Sequence, residues 1–322
     1  MRVGGRHVTV VDGHAHCAVP EVLNVVKGTD LERSVGASLN GPLVMKPDRL
    51  LAMDDQGIDV QVLSINPFWY GADRDLARRI VAVQNEQLAA LCAAHPERFV
   101  ALASVALQHP DLAAEQLADA VATHRLRDAG IGGSVNGEEL SSPKFEPFWA
   151  KAEQLGVVVF IHPQGIPEIR TRVQGNGFLS NVIGNPLETT LALSHLIFDG
   201  TLDKFPNLKI CAAHGGGYLP SYAARSDHGC VTFPANCTKT LKKKPSEYLK
   251  QMYFDSLVFT GEGLRHLAAE CGASQIVVGT DYPFPWTTTA VDHVLTTPGL
   301  SDADRVAILG GNLIKLLRIG SP

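Results

Sequence analysis

Eight short apolar segments constrain the fold of this chain most strongly, because segments with helical periodicity separate most of them. The strand candidates are HVTVVDGHAH, IDVQVLSI, FVALASVAL, IGGSVNG, VVVFIHP, LKICAAHGG, MYFDSL and QIVVGTD. Residues 73–95 and 111–124 repeat apolar residues at spacings of three and four, as amphipathic helices do. Strands that alternate with helices favour an α/β fold with a parallel sheet, and eight such strands favour a (β/α)8 TIM barrel.

The length of the chain fits one large domain. A chain of 322 residues can enclose a single barrel core, and no linker rich in proline, glycine or serine divides it. We therefore interpret residues 1–322 as one domain. Two polar stretches interrupt the alternation, and we predict loop insertions at residues 19–47 and 226–246, at the C-terminal face. A doubly wound open sheet is the competing fold, but its glycine-rich phosphate-binding turn is absent after the first strand.

Composition argues against several classes of partner. The net charge of −5 and the pI of about 6.2 give no electrostatic basis for binding nucleic acid or an anionic membrane. No apolar run approaches the roughly 20 residues that cross a bilayer, and the N-terminus lacks the apolar region of a signal peptide. The six cysteines are scattered without a CxxC pair. We interpret them as reduced thiols of a cytoplasmic protein.

Five polar residues occupy ends of the predicted strands, where a barrel core would carry apolar side chains. His14 and His16 end the first strand, His162 the fifth, His214 the sixth and Asp281 the eighth. A single histidine at a strand end is most often a satisfied core or surface residue. Alternate residues of a strand share a face, so His14 and His16 are expected to face the lumen together. Four polar strand ends at one barrel face predict a metal site.

The donor set narrows the choice of metal. Three imidazoles and one carboxylate suit Zn²⁺ best, with Mn²⁺, Fe²⁺ or Co²⁺ as alternatives. A divalent ion lowers the pKa of a bound water toward about 7 and so supports acid and base chemistry at neutral pH. Such a site can hydrolyse an amide, a lactone or an activated C–C bond, or it can release CO₂ without oxidation. These residues alone leave both reactions open.

Several longer stretches carry a family resemblance that covers nearly the whole chain. They are VVDGHAH, NPLETTLAL, FDGTLDKFPNLKICAAHGGGYLP, MYFDSL, VGTDYPFP and GGNLIKLL. The chain resembles the amidohydrolase superfamily, and within it the branch of α-amino-β-carboxymuconate-ε-semialdehyde decarboxylase. The resemblance implies His14, His16, His162 and Asp281 as metal ligands and His214 as the catalytic histidine beside the metal-bound water.

The same resemblance favours one reaction. It implies a metal-dependent nonoxidative decarboxylase of an aromatic or muconate-like acid, in which His214 and Asp281 move protons. A metal-dependent hydrolase on the same barrel is the alternative. A barrel that has lost turnover and only binds a ligand or partner is a third hypothesis, disfavoured because every expected ligand is present. One metal ion is expected, because IGGSVNG at the fourth strand offers no bridging lysine.

The residues expected to bind the substrate differ from those that the resemblance to this branch implies. The resemblance implies two arginines that bind substrate carboxylates, one of them lent by the partner in a homodimer, and Arg225 falls at the position of the lent one. No arginine matches the other position, near Asn40. Lys46 and Arg49 are possible substitutes, although Arg49 is expected to face solvent. We therefore expect a small hydroxybenzoate-like, aromatic or dienoic acid rather than the semialdehyde.

Aromatic side chains follow two of the predicted strands. Phe68, Trp69 and Tyr70 come after the second strand, and Phe284 and Trp286 follow Asp281. They could form an apolar wall for a planar substrate. Packing of the loops on the barrel explains them equally well.

Other polar residues near these motifs have supporting roles in our interpretation. Asp12 is expected to face inward and to support the metal ligands or the fold. Asp255 is expected to orient His214, as carboxylates orient histidines at metal sites, and Glu188 is a weaker candidate for that role. Cys17 is interpreted as a buried apolar residue rather than a ligand or nucleophile.

Overall fold

The computed structural model of the protein describes residues 1–237 and 241–320. Residues 238–240, which belong to the second predicted insertion, lie outside the described residues. The strands of the main sheet are β1 (Val11–His16), β2 (Val60–Ser64), β3 (Phe99–Ala103), β4 (Asp128–Gly132), β5 (Val158–His162), β6 (Lys209–Ala212), β7 (Met252–Asp255) and β8 (Ile276–Val277). Two antiparallel pairs lie outside it, Arg2–Val3 with Arg6–His7 and Ser134–Val135 with Glu138–Glu139.

Helices follow or precede most strands. They are α1 (Val22–Val26), α2 (Glu32–Leu39), α3 (Asp48–Asp55), α4 (Arg74–Ala94), α5 (Pro110–Ala122), α6 (Glu146–Leu155), α7 (Asn185–Phe198), α8 (Thr201–Lys204), α9 (Leu219–Thr232), α10 (Gly261–Cys271), α11 (Ala290–Thr296), α12 (Asp302–Val306) and α13 (Asn312–Leu316). No helix in the described part of the chain combines the length and apolar character that crossing a membrane would require.

The eight strands form one parallel sheet in sequence order, and the sheet closes on itself. Closure comes from hydrogen bonds between β1 and the segment after β8. The Gly13 amide donates to the Val278 carbonyl at 2.8 Å and the His16 amide to the Tyr282 carbonyl at 2.6 Å. An open doubly wound sheet has no such bonds between its first and last strands. The predicted (β/α)8 TIM barrel is therefore confirmed.

One end of the barrel is sealed by apolar side chains. Leu313 of α13 and Leu317 pack in one buried cluster with Val11, Val60 and Val158, which are the first residues of their strands. Burial of such side chains is favourable by about 25 cal/mol per Å² of apolar surface removed from water. The polar residues at the opposite, C-terminal strand ends are thereby left as the accessible face.

The two insertions are more ordered than predicted. Residues 19–47 contain α1 and α2, and α1 packs against α4 through its buried face. In the second insertion, α9 continues to Thr232, and Cys230 forms a disulfide with Cys237. The prediction of reduced cysteines was wrong for this pair, because the turn after α9 brings the two Cα atoms to 5.3 Å. Cys17, which is buried, and Cys92, Cys211 and Cys271 are free.

Candidate metal centre

Five side chains converge at the C-terminal ends of the barrel strands. Ligand atoms of His14, His162, His214 and Asp281 all lie within 4.8 Å of one another. The Nε2 atom of His16 lies 3.0 Å from Nε2 of His14 and 3.0 Å from Oδ1 of Asp281. The structure thus brings together every residue that the sequence predicted as a metal ligand or as the catalytic histidine.

Neighbouring side chains fix the two histidines of β1. The Nδ1 atom of His14 lies 2.6 Å from a carboxylate oxygen of Asp255, and Nδ1 of His16 lies 3.0 Å from the hydroxyl of Ser64. Since Asp255 is an acceptor, His14 donates from Nδ1, and its Nε2 is the nitrogen that a metal ion would bind in place of a proton. Both Nε2 atoms then point at the same small volume as Asp281. Such convergent ligand atoms are the geometry that a cation requires.

Unpartnered buried nitrogens provide a test of whether a metal fits. Both ring nitrogens of His162 and the Nδ1 of His214 are buried and have no hydrogen-bond partner in the described part of the chain. Buried polar atoms in proteins are nearly always hydrogen-bonded, so these three need an explanation. Ligation of a metal ion explains the nitrogen of His162 that faces the cluster. The residues present therefore fit a divalent metal ion.

The electrostatics of the cluster favour neutral histidines and an ionised aspartate, the forms in which these side chains bind a metal ion. Burial, together with neighbouring histidines, lowers the pKa of His16 to about 4 and that of His162 well below its usual value. Burial alone would raise the pKa of Asp281, but His14, His16 and His214 outweigh it and lower that pKa. Metals bind neutral imidazoles and ionised carboxylates. These groups hold those forms at neutral pH.

His14 is the exception in this cluster. Burial acts to lower its pKa, but Asp281 and Asp255 outweigh burial and raise the pKa to about 10. A positive charge at this position balances two buried carboxylates. A bound cation supplies the same balance, which is a second reason why the cluster fits a metal ion.

Asp255 acts on more of the site than predicted. Besides the ring of His14, its carboxylate accepts hydrogen bonds from the backbone amides of His214 at 2.7 Å and Gly215 at 2.8 Å. Asp255 thus orients the His14 ring and the backbone of His214, and the prediction that it orients the His214 ring is corrected. The ring of His214 instead has Nε2 3.6 Å from Oδ2 of Asp281.

The turn that carries His214 depends on the glycines that follow it. His214 and Gly217 both have positive φ, of 55° and 65°. A Cβ atom at Gly217 would lie 2.1 Å from the carbonyl oxygen of Pro186, so only glycine fits there. The close approach of this turn to α7 explains the HGGG motif physically and fixes where His214 can point.

Asp12 supports β1 from the other side. Its carboxylate accepts from the side chain of Gln61 at 3.0 Å and from the hydroxyl of Thr280 at 2.6 Å, and Gln61 in turn accepts from Arg49. The register of β1 against β2 shifts between Asp12 and Ala15. Strict alternation fails at this bulge, which is why the prediction that Asp12 faces inward with His14 was wrong.

The prediction that Arg49 faces solvent was also wrong. It is 2% exposed, donates to the carbonyl of His16 at 2.8 Å and lies over the ring of Tyr282. Its guanidinium therefore secures β1 instead of replacing the missing arginine. Lys46 and Asn40 are exposed. No sequence pattern could have shown the Arg49 contacts, because they join segments that only the folded barrel brings together.

Glu188 does not orient His214. The carboxylate of Glu188 accepts from the backbone amides of Gln164 at 2.6 Å and Gly165 at 2.5 Å, and from the hydroxyl of Ser134. It holds the loop after β5, which carries His162 at its start. The predicted role is corrected to positioning of this loop.

The predicted aromatic wall is only partly at the site. Phe68 lines a cavity beside His16, and Phe284 and Trp286 line a second cavity beside His162 and Asp281. Trp69 is fully buried and its indole N–H donates to the carbonyl of Val105 at 3.0 Å. Trp69 is therefore a packing residue, because its polar atom is bonded within the core. Tyr70 is buried in the same core cluster.

Three cavities meet at the histidine cluster. A mouth cavity of about 510 Å³ reaches His214 and Asp281, and an inner cavity of about 570 Å³ reaches His162 and Asp281. A side cavity of about 200 Å³ lies beside His16. No lysine or arginine lines any of these three cavities within the described part of the chain. Arg225 lies exposed on α9.

Comparisons with known proteins place these features in context. The family model described as amidohydrolase matches residues 11–319. The chain is 32% identical over 275 residues to the 2-amino-3-carboxymuconate-6-semialdehyde decarboxylase of Dictyostelium discoideum, a match that covers 84% of this chain and 76% of that protein.

Solved structures of decarboxylases are also similar to this chain. The 5-carboxyvanillate decarboxylase from Sphingomonas paucimobilis superposes with a TM-score of 0.88 at 25% identity, covering 97% of this chain and 100% of that one. A dihydroxybenzoic acid decarboxylase from Polaromonas sp. JS666, with bound manganese and the inhibitor 2-nitroresorcinol, gives a TM-score of 0.85 at 27% identity and covers 98% of each chain.

Proposed function

Because the chain belongs to the amidohydrolase family, we propose that it is a metal-dependent decarboxylase of a small aromatic carboxylic acid. One observation carries the proposal. Four histidines and an aspartate converge in one cluster at the C-terminal ends of the barrel strands, in a chain whose similar proteins are decarboxylases. The matched relatives give no support to the alternative of a hydrolase.

We assign the metal ligands from this cluster. His14, His16, His162 and Asp281 would hold one divalent ion, and His214 is left as the group that moves protons. When bound, a divalent ion withdraws electron density from the oxygen atoms it ligates and so activates the substrate acid. Zn²⁺ suits three imidazoles and a carboxylate, whereas the Polaromonas relative bound manganese. We propose zinc, with manganese as the alternative, and metal analysis of protein purified without added metal decides between them.

The acid and base work falls to His214 and Asp281. His214 is partly exposed to the mouth cavity, and its Nε2 lies 3.6 Å from Asp281 Oδ2, so a proton can pass between them through a small movement. In the proposed reaction the proton adds to the ring carbon that carries the carboxylate. The bond between that carbon and the carboxylate then breaks, its electrons return to the ring, and CO₂ leaves.

We extend the proposal to a homodimer in which Arg225 serves the partner's site. In its own subunit Arg225 is exposed on α9, while the three cavities have no lysine or arginine among their described lining residues. α9 and the turn after it also expose the apolar side chains of Tyr222 and Phe233, which a second copy would cover. A cytoplasmic location stays a prediction.

A carbon-balance experiment tests the proposed reaction. Metal-loaded protein is incubated with a dihydroxybenzoic acid, 5-carboxyvanillate and 2-amino-3-carboxymuconate-6-semialdehyde, and released CO₂ and product mass are measured. We expect at least one acid to yield CO₂ and a product in which hydrogen replaces the carboxylate. His214→Ala should abolish CO₂ release, whereas His195→Ala, at a partly exposed position of α7, should not. Ring-opened or two-fragment products without CO₂ would overturn the proposal in favour of hydrolysis.

A further inference from the structure

The side cavity beside His16 is lined by a buried carboxamide whose oxygen has no hydrogen-bond partner in the described part of the chain. The carboxamide belongs to Gln84 of α4, which is 1% exposed, and the oxygen is its Oε1. The next residue, Asn85, is also buried but is fully used, because it exchanges two hydrogen bonds with the backbone of Ser104. A buried acceptor without a partner is costly. Gln84 therefore places a carboxamide with unused hydrogen-bonding capacity in the wall of a cavity that adjoins the metal centre.

The side cavity is polar but uncharged. Its polar lining residues are His16, Ser34, Ser38, Asn66, Gln84 and Gln164, and no lysine, arginine, aspartate or glutamate lines it among the described residues. A carboxylate placed there would lose its hydration without gaining a countercharge. A hydroxyl group can donate to one carboxamide oxygen and accept from a carboxamide N–H. Rotation of the Gln84 amide exchanges donor and acceptor but adds no charge.

The size of the side cavity indicates which part of a ligand it can hold. At about 200 Å³ it accommodates the edge of an aromatic ring with one substituent, and its volume is well below that of the mouth or inner cavity. Phe68 contributes an apolar surface for a ring face, and His16 places the cavity directly against the metal centre. A ring whose carboxylate lies at the metal centre can therefore extend a neighbouring substituent toward Gln84.

We propose that Gln84 determines substrate specificity by binding a neutral hydroxyl substituent of the aromatic acid and by discriminating against a second carboxylate at that position. This inference rests on the proposed function for the identity of the reacting acid. Gln84 touches the substrate but takes no part in proton transfer.

Calorimetric binding to the zinc-loaded protein tests the inference. The probes are 2- and 3-hydroxybenzoate and the matching benzene-1,2- and benzene-1,3-dicarboxylates, which differ only in hydroxyl against carboxylate. We expect the wild-type protein to prefer at least one hydroxybenzoate over its dicarboxylate. Gln84→Leu should weaken binding of that hydroxybenzoate about tenfold, the loss of one hydrogen bond at a buried acceptor. Gln84→Lys should shift the preference toward the dicarboxylate.

Gln56→Leu is the matched control, because Gln56 also has an unpartnered amide oxygen but lies at the end of α3, away from the side cavity. It should leave the preference unchanged. Should Gln84→Leu fail to fold, Gln84→Met gives the same comparison with an unbranched side chain. An unchanged preference in folded Gln84 variants would show that the cavity holds only water, and would overturn the inference.

The outcome also separates this inference from the proposed function. With an acid that is turned over, Gln84→Leu should raise KM about tenfold and leave kcat within about twofold, since the contact is made equally in ground and transition states. If no acid releases CO₂ while the preference still depends on Gln84, the proposed function fails and the inference holds. If CO₂ is released but Gln84→Leu changes neither KM nor the preference, the inference alone fails.

Discussion

At the scale of single residues, the candidate metal centre depends on side chains that hold its histidines in place. Asp255 bonds the ring of His14 and two amides of the turn that carries His214. We expect Asp255→Asn to lower metal affinity roughly 10–100-fold, because the neutral amide holds the His14 tautomer less well. Chelator competition measures the affinity. Asp30→Asn, at an exposed position, is the control, and equal affinities in the two variants would contradict this role.

Asp128 is a buried carboxylate at the N-terminal end of β4, whereas the metal centre lies at the C-terminal ends of the strands. Burial raises its pKa to about 7, although the Val158 amide donates to it. The unfolded chain has an ordinary pKa near 4, so the native state holds an extra proton between about pH 4 and 7. The contribution of Asp128 to the free energy of unfolding should therefore fall across this window as pH rises, and change little above it.

The substitution Asp128→Asn isolates that contribution. The amide cannot ionise. The free energy of unfolding of the variant, minus that of the wild type, should therefore increase as pH rises from about 4 to 7, by at most about 1.4 kcal/mol per pH unit. Urea unfolding at pH 5, 6, 7 and 8 measures the difference. Asp30→Asn should show no such trend. A difference that shrinks with rising pH would contradict the raised pKa.

Residue patterns predicted correctly which side chains converge, but they predicted the surroundings of those side chains poorly. Alternation correctly placed His14 and His16 on one face, because it is a local property of a strand. The same rule failed for Asp12, because the bulge before Ala15 reverses the alternation. Only Gly13 in VVDGHAH indicates that a bulge could form there. Arg49 and Asp255 were misjudged because their partners are distant in sequence.

At the scale of secondary structure elements, the barrel strands were predictable and the insertion helices were not, although β4 begins three residues before the predicted segment IGGSVNG. Each strand is largely buried and carries apolar residues, whereas α1 and α2 are short, and short helices have little intrinsic stability. Their order comes from packing of Val22, Val26 and Val35 against the body of the protein. That packing matters for function, because Val22 and Val35 also line the side cavity.

The loop after β5 should depend on α7 through Glu188. Glu188→Ala would leave the amides of Gln164 and Gly165 without their acceptor, and we expect it to destabilise the protein by about 1–3 kcal/mol. Amide hydrogen exchange at residues 164–165 should accelerate more than exchange elsewhere. Glu188→Gln keeps an acceptor oxygen and should behave nearly as the wild type, while Glu86→Ala on the exposed face of α4 controls for loss of a carboxylate. Unchanged exchange in Glu188→Ala would refute the role.

At the scale of the whole molecule, the metal centre is accessible from the C-terminal end of the barrel. Apolar side chains around Leu313 and Leu317 seal one end, so a substrate enters through the mouth cavity at the other. This route passes no lysine or arginine of the described chain. A carboxylic acid is an anion at neutral pH, and an anion needs a cation to replace its hydration. The metal ion is one such cation, and the proposed dimer supplies a second through Arg225.

Mixed dimers test whether Arg225 acts across subunits. Arg225→Ala and His214→Ala should each have little activity when assembled alone. In a dimer of one subunit of each kind, the Arg225→Ala subunit keeps its own His214 and receives Arg225 from its partner, so one of two sites is complete. Random mixing after dissociation should therefore restore roughly a quarter of wild-type activity, because half of the dimers are mixed and each has one working site. If Arg225 serves its own subunit, both sites of the mixed dimer lack a residue and mixing restores nothing. Sedimentation as an active monomer at micromolar concentration would equally exclude a shared site.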